Sequence, residues 1–286
     1  MKLLCRVPGV WASRNSDVTW LERQLLPGFL TFEPILKKPM VFDVDDAIWL
    51  YRFWAEDAVK FTARRATVVI AGNQYLGNYL SKSARDVRII PTAVDTDRFF
   101  PKTGPTAFDE PNRFVVGWTG SSTNIKYLEA LEPSLAAFFT EKRDALLMVV
   151  CDRPPMFRRI PPAQIKFVPW SEATEAVVLR AMNTGIMPLP DNPWTKGKCA
   201  FKMIQYMATG IPLIVSPVGM NSEILAMDDI GIAAQSDQDW YEALQYLYSD
   251  QTSGKQMGLR GRLLIESHFS RNMVTGLLAD LIKSIV

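Results

Sequence analysis

The chain has 286 residues, 48% of them hydrophobic, 11% aromatic and 22% charged, which allows two compact domains or one large one. Such a composition excludes long disorder, collagen-like sequence and low-complexity architecture. Thirty-two Lys and Arg against 30 Asp and Glu give a net charge of +2, no basis for nucleic-acid binding through many phosphate contacts.

Three scattered cysteines, Cys5, Cys151 and Cys199, and one histidine, His268, exclude a structural zinc site of about four Cys/His ligands. They match the thiol usage of a reducing compartment. Lys2 and Arg6 flank an N-terminal apolar patch too short for a secretory signal, and no window reaches the ~20 apolar residues of a membrane span. The expectation is a cytoplasmic protein, with peripheral contact to the inner membrane surface left open.

Short β-rich runs alternate with helical patterns, the signature of an α/β fold with mostly parallel strands. Residues 17–21 read as a strand, 25–36 as a helix-like stretch interrupted by Pro27 and Pro34, and 39–44 as a buried strand ending in an acidic turn. A helix over 53–66, a strand over 67–71, a short helix over 73–84 and a strand over 87–91 follow. Pro101, Gly104, Pro105 and Pro111 mark a domain boundary, after which the alternation restarts. Residues 113–118 form a strand, and apolar residues at 125, 128, 131, 135, 138 and 139 predict a helix that Pro133 kinks or divides. Strands over 145–150, 165–168 and 184–187 lead to a helix over 201–209 that Gly210 ends. A strand over 211–215 and helices over 237–249, 252–267 and 270–285 close the chain.

Three turns could carry chemistry. In Trp118-Thr119-Gly120-Ser121-Ser122-Thr123, Gly120 lets the backbone approach a ligand and the next helix points its first amides outward, as for a phosphate; taken alone, the turn reads first as an ordinary capped helix start. A Pro-rich loop delivers Lys196, Lys198 and Lys202 to a helix start, poor chemistry against the helix dipole unless an anion joins the site or the lysines face solvent. Lys202 and Gln205 share a face of that helix. In Ser216–Glu223, Gly219 permits close approach and Glu223 lies in the first helical turn, which capping explains as well as ligand binding does. Asp43-Val44-Asp45-Asp46 reads as a solvated acidic turn or an acceptor contact ahead of a metal site. His268 reads as structural, which leaves a carboxylate as general base or a mechanism that needs none. No strand is followed by G-x-G-x-x-G, which argues against a dinucleotide enzyme.

The blocks Val116–Ser121, Gly185–Pro190, Gly197–Pro212 and Ser216–Glu223, in this order, resemble the C-terminal domain of GT-B glycosyltransferases of family 4, the glycosyl transferases group 1. Phe42–Ala47 and Ile90–Asp95 resemble markers of the family's N-terminal domain. The resemblance implies an α/β fold of two Rossmann-like domains facing a cleft. They are an incomplete acceptor-side domain over 1–110, a nucleotide-sugar-binding domain over 111–269, and a helix over 270–286 that crosses back to the first. It implies sugar transfer from a nucleotide-sugar donor to a glycan or lipid-linked acceptor in polysaccharide or glycolipid assembly, with retention and with neither metal nor other cofactor.

Matching positions place Gly120 and Ser121 at the diphosphate or sugar, Lys198 or Lys202 as its counter-charge, Gln205 at the ribose and Gly219 at the donor sugar, with Glu223 in the same site. The family's two glutamates, separated by seven residues, are here Gly197 and Gln205. A neutral Gln can still hydrogen-bond ribose hydroxyls, so Gln205→Glu is expected to be tolerated. The alternative is a non-catalytic nucleotide-sugar-binding relative. The incomplete first sheet leaves an edge through which the chain could self-associate.

Overall fold

The computed structural model describes residues 4–286. In chain order the elements begin with α1 (Val7–Ser13), β1 (Thr19–Glu22), β2 (Met40–Val44), α2 (Ala55–Arg65), β3 (Val68–Ala71), α3 (Gln74–Leu80) and β4 (Val87–Ile89). Next come β5 (Phe114–Thr119), α4 (Ile125–Ala130), α5 (Glu132–Glu141), β6 (Ala145–Cys151), β7 (Ile165–Pro169), α6 (Glu175–Leu179) and β8 (Thr184–Met187). The last are α7 (Pro193–Lys196), α8 (Phe201–Ala208), β9 (Leu213–Val215), α9 (Met220–Leu225), β10 (Gly231–Ala233), α10 (Asp237–Ser249), α11 (Gln251–Leu264) and α12 (Arg271–Ile285).

The chain forms two compact units. One holds the described residues up to Ala93 together with Asp191–Cys199 and Asn272–Val286. Its sheet is parallel throughout in the order β1-β2-β3-β4. Every residue of β3, and all but Asp43 of β2, is buried, as expected of strands covered on both faces. On one face Val41, Val68, Ile70 and Ile90 pack with Val274 and Leu281 of α12. Helix α2 buries Ala55, Ala58, Val59, Thr62 and Ala63, a stripe at helical spacing, with acids in its first turn and arginines in its last.

Residues 25–36 differ from the helix-like reading. Pro27, Gly28 at φ +81° and Pro34 break the ladder, leaving a loop with one 3₁₀ turn at Glu33–Ile35. Buried Glu33 organises that loop, accepting from the amides of Leu25 (2.9 Å) and Thr31 (2.6 Å).

The other unit holds Val94–Pro190 and Ala200–Arg271 around a six-stranded parallel sheet in the order β10-β9-β8-β5-β6-β7. Strands β5 and β6 are buried along their whole length, and Trp118, Phe138 and Phe139 are among the largest side chains of the core. Pro133 stands in the first turn of α5, so the expected long helix divides at Leu131. Residues 94–110 pack in this unit, ahead of the sequence boundary at 110/111. Val94 donates to the Phe269 carbonyl (2.9 Å) and accepts from the Arg271 amide (2.9 Å), which fastens the segment. The strand order turns back at β5: β6 and β7 extend one way, β8, β9 and β10 the other. Crevices that bind ligands lie outside the carboxyl ends of strands at such a reversal.

Candidate functional site

A cavity of about 320 Å³ opens at that reversal, lined by Thr119, Gly120 and Ser121 after β5, Asp152 after β6, Trp170 and Glu175 after β7, and Phe201, Lys202 and Gln205 on α8. Its floor is rigid. Tyr206, fully buried, accepts from the Thr119 amide (3.0 Å) and donates to the Ile186 carbonyl (3.3 Å), joining α8 to the ends of β5 and β8. A Cβ at Gly185 would stand 2.5 Å from the Tyr206 ring, so this strand position requires glycine.

Two groups of side chains divide the cavity. In the first, the Lys202 ammonium lies 4.8 Å from the ring centroid of Trp118, itself 1% exposed. A Cβ on Gly120 would come within 2.6 Å of that ring and 2.7 Å of the Lys202 Nζ. Glycine there keeps the backbone and the ammonium close together. Asp152 accepts from both the amide and the hydroxyl of Ser122 (2.6 Å each), which fixes the turn and holds the carboxyl down at about 2. Helix α8 starts at Ala200, whose φ of +51° is strained for a residue with a Cβ. Cationic side chain, accessible backbone and helix start together suit a polyanion.

In the second group, Glu175 Oε1 accepts from Gln205 Nε2 (3.0 Å) and Trp170 Nε1 (3.1 Å), while Oε2 meets the Arg98 guanidinium (3.3 Å). Gln205 is 2% exposed, and the Glu175 side chain 13%. This end offers an indole, an amide and a carboxylate, suited to a neutral ligand rich in hydroxyls.

Of the residues singled out in the sequence, Gly120, Ser121, Lys202 and Gln205 line this one cavity, whereas Lys198, Gly219 and Glu223 do not. Lys198 packs in the first unit, its ammonium 5.4 Å from the Trp194 ring and its carbonyl accepting from Asn73 Nδ2 (3.0 Å). Gly219 takes φ +56° at the start of α9, and Glu223 is an exposed residue of that helix's first turn. The sequence reading missed Asp152, Trp170 and Glu175. Each follows the carboxyl end of β6 or β7, and position after a strand end was the signal that could have found them.

The acidic turn after β2 pairs with an arginine of its own unit. Arg23 makes two contacts with Asp45 (2.7 and 2.8 Å) and one with Asp46 (3.2 Å). Burial, with Asp45 and Glu22 adding to it, pushes the Asp43 carboxyl up to about 6. Among the described residues no group of three or more His, Cys, Asp or Glu is arranged to hold a metal ion.

Residues 113–250, just under half of the chain, match the family model for glycosyl transferases group 1. No curated protein sequence matches the chain. Its fold is that of the GT-B glycosyltransferases. Sucrose-phosphate synthase of Thermosynechococcus elongatus superposes with a TM-score of 0.73 at 16% identity, covering 97% of this chain and 76% of that one. Anabaena HepE in complex with UDP and glucose gives 0.77 at 14% identity, with 98% and 81% covered. WaaG, a glycosyltransferase involved in lipopolysaccharide biosynthesis, gives 0.69 at 13% identity, again with 98% and 81% covered.

Proposed function

We propose that this chain, built around a group 1 glycosyltransferase domain at residues 113–250, transfers a sugar from a nucleoside diphosphate sugar to a lipid-linked or glycan acceptor, with retention and without a bound metal. The observation that carries the reading is the placement of Gly120, Ser121 and Lys202 in one cavity at the reversal of the sheet. The diphosphate would lie against Gly120 and Lys202, where the ammonium and the start of α8 stabilise the negative charge that grows on the leaving group. The nucleoside would extend toward Trp170, Glu175 and Gln205. A uridine nucleotide is favoured as donor, since UDP occupies HepE.

An acceptor carried on a lipid is supported by the surface of the first unit. Phe53 is 90% exposed and Trp11 68% exposed, and the Arg52 guanidinium lies 5.8 Å from the Phe29 ring and 5.5 Å from the Trp54 ring. Aromatic rings beside a guanidinium are suited to the interface of an anionic bilayer. The described helices include none long and apolar enough to cross a membrane.

The test is release of nucleoside diphosphate from a panel of sugar nucleotides, with and without lipid-linked acceptors. The reading predicts turnover of one donor, reduced about 10- to 100-fold in kcat/KM by Lys202→Ala. No release from any donor, or full activity in Lys202→Ala, would contradict it.

A further inference from the structure

We infer that Glu175 supplies the carboxylate that accepts from a ribose hydroxyl of the donor, in place of an acidic residue at position 205. The inference rests on the proposed nucleoside diphosphate reading of the cavity and adds the residue that recognises its sugar ring.

Three observations support it. First, Glu175 is the carboxylate beside Gln205 in the cavity wall, and it belongs to α6, a different element from Gln205 on α8. A carboxylate only accepts, so the Gln205 amide must turn its nitrogen toward it, as it does at 3.0 Å. The two side chains therefore act as one unit with a single carboxylate, itself paired with Arg98.

Second, the acceptor capacity of Glu175 is nearly but not fully used. Trp170 and Gln205 occupy Oε1, and Arg98 takes one direction at Oε2. An ionised carboxylate offers about four acceptor directions, which leaves about one for a ligand hydroxyl. Third, the same cavity contains Lys202, so a diphosphate beside the lysine and a neutral diol beside the carboxylate is the pairing that avoids repulsion. Lys202 and Gln205 are three residues apart on α8, a rise of about 4.5 Å, so the two recognition points sit on one helical face.

This geometry reverses the expectation that Gln205→Glu is tolerated. A glutamate there would put a second carboxylate about 3 Å from the first, in a site with one charge already balanced by Arg98. Moving the charge should work where adding one does not.

The test uses calorimetric titration of the full chain with UDP, GDP, ADP and CDP, then with the 2′,3′-dideoxy analogue of the tightest binder. The wild type should prefer the ribose form by about tenfold or more, the range of a hydrogen bond to a charged group. Glu175→Gln should lose that preference while its affinity for the dideoxy form stays within about threefold of the wild type. Gln205→Glu should weaken the ribose form, and the exchange Glu175→Gln with Gln205→Glu should restore the preference. Equal weakening of both ligands in Glu175→Gln would reduce Glu175 to a structural support and overturn the inference, as would an unchanged preference. Binding of none of the four nucleotides to the wild type would remove the donor-site reading and this inference with it.

Discussion

Asp43 shows how a single carboxyl can work against its own fold. Burial is the main cause of its rise to about 6, with the charges of Asp45 and Glu22 adding to it and a hydrogen bond from Trp20 opposing it. Between about pH 4 and pH 6 the folded protein keeps a proton that the unfolded chain has released. Stability therefore falls as pH rises through that window, and the full cost applies above about 6. Asp43→Asn is predicted to stabilise the protein at pH 7 by up to about 3 kcal/mol, with no gain below about pH 4. Urea denaturation of both proteins at several pH values measures this, and a gain independent of pH would contradict it. At Gln205 the sequence could be read for shape but not for partners. Its helical face was visible from the spacing to Lys202, whereas the carboxylate opposite it comes from residue 175, beyond the reach of local pattern.

Among the elements, α8 organises the site. It carries Phe201, Lys202 and Gln205 into the cavity and sends Tyr206 the other way, where its hydroxyl joins the ends of β5 and β8. Tyr206→Phe would leave the Thr119 amide without that acceptor in the core, at a cost of about 1–3 kcal/mol. A shift in the denaturation midpoint measures the cost, and an unchanged midpoint would show that the bridge is dispensable. The same helix was legible in the sequence because Gly210 ends it and its apolar residues follow helical spacing. Helices α1, α6 and α7 were not anticipated; they are four to seven residues long, too short for periodicity to declare itself. Residues 25–36 failed for the opposite reason. Apolar residues were present at helical intervals, but Pro27, Gly28 and Pro34 set the backbone, and the buried carboxylate of Glu33 satisfied the resulting loop.

At the scale of the whole molecule, charge is divided unevenly between the units. The first carries sixteen Lys and Arg against eleven Asp and Glu, the second sixteen against nineteen. A near-neutral total thus hides a basic unit that also bears the exposed Phe53 and Trp11. Two α/β sheets and the turns after β5 and before α8 could be read from strand and turn chemistry. The order of the six strands could not, and that order brings Asp152, Trp170 and Glu175 against Gly120 and Lys202. The central claim is that this cavity binds a nucleoside diphosphate through the close approach that Gly120 permits. Calorimetric titration of nucleoside diphosphates into the wild type and Gly120→Ala tests it most directly. The account predicts one preferred nucleotide and at least about tenfold weaker binding to the variant, with its fold retained by circular dichroism. No binding to the wild type, or equal affinity in the two proteins, would contradict it.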